Sequence, residues 1–127
     1  MANRALNLQP EGLDLLLYAG DGVELPFTCT DKAGAPVDIT GVVTAQIRLD
    51  RLTPDPPIAS FAVNAVDAYL GKIIISLTGE QTAQLSQDPS SKSGKFVGVW
   101  DLQWTPANSQ PRTMCQGKVE CVSDVTR

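Results

Sequence analysis

Apolar and polar residues alternate with a period of two in segment after segment of this chain, and that alternation constrains its fold more than any other feature. Val23, Leu25, Phe27 and Cys29 alternate with Glu24, Pro26, Thr28 and Thr30. Val43, Ala45, Ile47 and Leu49 alternate with Thr44, Gln46, Arg48 and Asp50. Ile73, Ile75 and Leu77 repeat the pattern, as do Trp100, Leu102 and Trp104, and then Cys115, Val119 and Cys121. Successive side chains of a strand point to opposite faces, so each segment reads as a strand with one buried face.

Weaker signals add strands at 12–20, with Leu13, Leu15 and Leu17 on one face, at 35–41, and at 58–65 with Phe61 and Val63 inward. Turns are expected at Asp21-Gly22, at Asp31-Lys32-Ala33-Gly34 and across Asp67–Gly71. Pro26 has no N–H to give to a ladder, so its strand is expected at an edge or bulged there. Prolines crowd Thr53–Pro57 and exclude both helix and ladder. Thr78-Gly79-Glu80-Gln81 fits a capping box, which places one short helix over Gln81–Leu85. Residues 86–95 read as loop, and 1–11 as an N-terminal arm preceding a β domain over 12–127. Seven or eight short strands with close-set turns and one helix give an all-β fold, an immunoglobulin-like β-sandwich. A closed barrel has the same periodicity and stays open at this point.

A chain of 127 residues is one domain in size. With 43% hydrophobic and 19% charged residues it can fill a core. The net charge of −4 and the lack of a basic patch argue against a nucleic-acid partner. The longest apolar stretches, such as Leu15-Leu16-Leu17-Tyr18-Ala19, are too short to cross a bilayer or to serve as a signal peptide. A chain made and kept in a reducing cytoplasm is expected.

Histidine is absent. A Ser-His-Asp triad is therefore excluded, along with the commonest metal ligand and general base. Ser91 and Lys92 are formally a Ser-Lys pair but sit in loop sequence, so solvation is the expected role. Asp14, Asp21 and Glu24, with Asp31 and Asp38, are loop carboxylates of the kind that can hold calcium, yet aspartate at turns ordinarily caps the local backbone. Cys29, Cys115 and Cys121 are odd in number and lack a CxxC pair. Cys29 and Cys121 fall on inward positions of different strands, and small buried hydrophobes are the expected role rather than a bridge. Trp100 and Trp104 share a face with Leu102, so core packing is expected rather than a sugar-binding platform. No catalytic, cofactor or metal residue is assigned, and the expectation is a protein that is not an enzyme and carries no cofactor.

Several runs stand in a recognisable order. Gly20-Asp21-Gly22 leads to Phe27-Thr28-Cys29-Thr30-Asp31, then to Gly34-Ala35-Pro36-Val37-Asp38-Ile39-Thr40-Gly41 and Ala45-Gln46-Ile47-Arg48. Ile75-Ser76-Leu77-Thr78-Gly79-Glu80-Gln81-Thr82-Ala83-Gln84-Leu85 follows, then Val99-Trp100-Asp101-Leu102-Gln103-Trp104 and Gly117-Lys118-Val119-Glu120-Cys121-Val122. This order resembles a family of small β-sandwich modules of tailed bacteriophages. It is similar to the N-terminal domain of siphophage upper baseplate proteins and to stand-alone minor tail proteins of this size. The family's pattern Asp-Gly-x-Pro-Val-Asp-Ile/Leu-Thr-Gly is matched by Gly34–Gly41, except that Ala33 stands where the aspartate before the glycine is usual. The resemblance implies a virion component without catalytic residues, assembled in the host cytoplasm and held in the tail tip or baseplate by contacts with other tail proteins, in a symmetric oligomer. A capsid decoration or head–tail connector protein would share the fold, and a carbohydrate-binding module for host attachment is the alternative of another class. The arm Ala2–Pro10 and the proline loop Pro54–Pro57 are the expected contact segments.

Overall fold

The alternating segments become strands where the sequence places them, and their order builds two facing sheets. The computed structural model describes residues 4–7, 11–31, 33–50, 57–89, 91–92, 94–107 and 109–123. In chain order the strands are β1 (Arg4–Asn7), β2 (Glu11–Gly12), β3 (Leu15–Tyr18), β4 (Val23–Thr30), β5 (Gly41–Arg48), β6 (Ala59–Ser60), β7 (Ala62–Asn64), β8 (Lys72–Leu77), β9 (Lys95–Pro106) and β10 (Arg112–Val122). Two of these are two-residue pieces, which leaves eight strands of three residues or more. A 3-10 turn spans Ala68–Leu70, and one helix, α1, spans Gly79–Ser86.

One sheet has the order β1-β4-β8-β7. The other runs β2-β10-β9-β5-β6, with β3 also paired to β10. β4, β7 and β8 thus take the B, D and E positions of an immunoglobulin-like sandwich, and β5, β9 and β10 take C, F and G. The pairing of facing open sheets, rather than one closed ladder, decides against a barrel.

The core lies between the sheets. Phe27, Cys29, Ile73, Ile75 and Leu77 come from one side, and Ala45, Ile47, Phe96, Trp100, Leu102, Val119 and Cys121 from the other. Trp100 is the centre of this layer, with ring centroids 6.3 Å from Phe27 and 5.9 Å from Phe61. Each large apolar side chain so buried stabilises the fold by about 1.5–3 kcal/mol.

Several local expectations need correction. Within the stretch expected to be an arm, Arg4–Asn7 pairs parallel with β4 and Glu11–Gly12 parallel with β10, so parts of 1–11 are sheet. β4 therefore has neighbours on both sides and is not an edge strand. The described ladder with β1 starts at Phe27, one residue past Pro26. The turn expected at Asp21-Gly22 comes earlier. The Asp21 N–H donates to the Tyr18 carbonyl at 3.0 Å, and Gly20 at φ 92° takes the left-handed corner.

Residues 35–40 are not a strand, and Gly41 already opens β5. They make one bridge, Thr30 to Pro36, and Asp38 then accepts from the Thr40 N–H and hydroxyl, which turns the chain locally. Ile39 is nevertheless fully buried, with its N–H donated to the Ala68 carbonyl at 3.0 Å. Leu49 is exposed because β5 ends at Arg48. The expected strand at 58–65 is split at Phe61: β6 pairs with β5 in one sheet and β7 with β8 in the other. Phe61 is the point of crossing, and its ring fills the core there. Of the Thr53–Pro57 loop, only Pro57 is among the described residues.

The capping box forms as expected. The Thr78 hydroxyl accepts from the Gln81 N–H, and the Gln81 side chain accepts from the Thr78 N–H. It starts the helix at Gly79, earlier than the 81–85 core of the expectation. Thr82 pins the helix to the β3–β4 turn: its Oγ1 accepts from the Gly20 N–H at 3.0 Å and lies 2.9 Å from the Asp21 carbonyl.

Candidate functional site

The residues singled out from sequence fall into structural roles at separate places. The Ser91 hydroxyl donates to the Leu85 carbonyl at 2.8 Å, which closes the end of the helix. The Lys92 backbone exchanges two hydrogen bonds with Lys95, each 3.0 Å, so the pair Ser91 and Lys92 is part of a tight turn. Asp14 Oδ1 accepts from the Lys118 N–H at 2.9 Å, standing in for a backbone carbonyl where β2 gives way to β3. Asp31 Oδ1 accepts from the N–H groups of Ala33 and Ala35. The Thr40 hydroxyl and N–H hold the Asp38 carboxyl below the usual carboxylate range. Aspartates 31 and 38 thus cap local backbone, as expected of turn aspartates. Among the described residues, no three Cys, Asp or Glu side chains come together as a metal site.

Cys29, Cys115 and Cys121 are all buried, and no disulfide joins them. The Cys121 thiol donates to the Thr82 carbonyl at 3.3 Å, so this sulfur helps seat the helix. Burial pushes the Cys29 and Cys121 thiols up to about 11. The tryptophans are core, as expected: Trp100 is 1% exposed and Trp104 8%. Their indole N–H groups donate to the carbonyls of Leu13 at 2.7 Å and Thr40 at 3.2 Å. A sugar platform made of these two rings is thereby overturned.

Several grooves open on the surface, among them one of about 260 Å³ along Leu16, Tyr18, Val23 and Leu25. One of about 310 Å³ runs over Pro26, Asn64, Val66, Lys72 and Ile74 on the outer face of the smaller sheet. Another, of about 440 Å³, lies between β6 and α1, against Ile58, Ser60, Gln81, Gln84 and Asp88.

The more distinctive surface is the outer face of the larger sheet, which sequence reasoning missed. The ladder sets Leu16, Glu120 and Val97 in one row and Tyr18, Val122 and Lys95 in the next. Inward neighbours of both rows, Leu15, Leu17, Val119, Cys121 and Phe96, are buried, so these six side chains point out. Leu16, Tyr18 and Val97 are 56%, 46% and 49% exposed. The signal was present in the sequence. Leu15–Tyr18 and Phe96–Trp100 are apolar on both phases of the alternation, which marks a strand with something to cover on each face.

No protein-family model matches the chain, and no curated protein matches it in sequence. Among solved structures it is similar to the N-terminal domain of ORF48 of phage TP901-1, with TM-score 0.43 and 7% identity over 98% of this chain and 99% of that one. It is also similar to the bradyzoite-specific antigen BSR4 of Toxoplasma gondii, with TM-score 0.40 and 13% identity over 98% of this chain and 50% of that one. At these values neither neighbour assigns this chain an activity or a partner. No helix among the described residues is long and apolar enough to cross a membrane.

Proposed function

We propose that this chain is a non-enzymatic structural protein of a tailed-bacteriophage particle, a minor tail protein at the tail tip or baseplate that works through protein–protein contacts. The observation that carries the reading is the ordered motif set between Gly20 and Val122, which resembles small phage tail modules. Its placement in the fold supports a scaffold role. Asp31–Pro36 is the turn after β4, Asp38–Gly41 leads into β5, and Thr78–Gln81 caps α1. Gly117–Val122 is the half of β10 on which β3 pairs. Several motif side chains, Asp31, Asp38, Thr78 and Gln81, hold the backbone at these joints.

An amber mutation in the gene, with and without a suppressor host, tests the reading. Without suppression, genome replication and lysis are expected to proceed while electron microscopy finds filled heads with absent or unfinished tails. Infectious particles with normal tails, formed without the chain, would overturn it. Defective heads instead of defective tails would replace the tail assignment with a capsid one.

A further inference from the structure

We draw no further inference here: the strongest candidate, the groove of about 260 Å³ between β3 and the first half of β4, walled by Leu16, Tyr18, Val23 and Leu25, carries nothing because nothing in the structure shows what covers it.

Discussion

Thr82→Val is the substitution that isolates how the helix is fastened to the sandwich. Thr82 is the single buried polar side chain among the described residues, with no exposed surface. Its hydroxyl accepts from the Gly20 N–H at 3.0 Å and has two carbonyls within reach of its one proton, Asp21 at 2.9 Å and Gly79 at 3.0 Å. Valine has almost the same shape and a similar helix propensity, so packing and helix formation are held nearly constant. The substitution removes one accepted and one donated hydrogen bond and leaves the Gly20 N–H without its partner. At about 1 kcal/mol per net bond, the expected loss is about 2 kcal/mol. For an m value of about 2 kcal/mol/M, the urea midpoint falls by about 1 M with the slope unchanged. Far-UV circular dichroism measures the midpoint, and amide exchange of Gly20 reports the local effect. Thr82→Ser keeps the hydroxyl and is expected to keep the Gly20 protection that Thr82→Val loses. A midpoint shift under about 0.2 M, or Gly20 protection unchanged in the valine variant, would refute the hydrogen-bond explanation.

Other perturbations test the core and the edge. A Cβ on Gly117 would come within 2.1 Å of the Leu13 carbonyl oxygen, which also accepts the Trp100 indole, so Gly117→Ala is expected to cost about 1–3 kcal/mol in urea unfolding. A cost near zero would show that the edge strand can step aside. The buried Cys29 and Cys121 thiols are expected to resist a thiol reagent at pH 8 in the native protein and to react in urea; rapid native modification of either contradicts their placement. Their folded-state values near 11 lie above the ordinary thiol value of 9.0. The unfolded chain therefore releases protons first, and stability declines as pH rises from about 9 to about 11. A urea midpoint that rises over that interval would contradict the sign. Tryptophan emission should be blue-shifted and poorly quenched by iodide, since both rings are core; red-shifted, quenchable emission would place at least one outside.

Much of the fold was legible in the sequence because strand burial is a two-residue signal. Phe27 and Cys29, Ala45 and Ile47, Ile73 through Leu77, and Trp100 through Trp104 all alternate as the sheets require. Local side-chain chemistry was equally legible in the Thr78–Gln81 capping box and the Asp31 turn. What escaped was set by long-range pairing. Arg4–Asn7 has no alternation of its own and becomes strand through β4. Phe61 reads as one position in a strand, although the chain changes sheets there. Met114 and Cys115 are adjacent and both buried because the ladder shifts register between Thr113 and Cys115, and a bulge of that kind leaves no mark in periodicity. The outer-face patch escaped for another reason: Leu16 and Val97 occupy polar-phase positions, and only the ladder reveals that they share a face.

The measurement closest to the centre of the functional proposal is quantitative mass spectrometry of density-purified particles. If the chain is a tail structural protein, it is expected in those particles at a fixed stoichiometry of about three to twelve copies, as closed symmetry around a tail axis requires. Absence of the chain from purified, infectious particles would contradict the proposal.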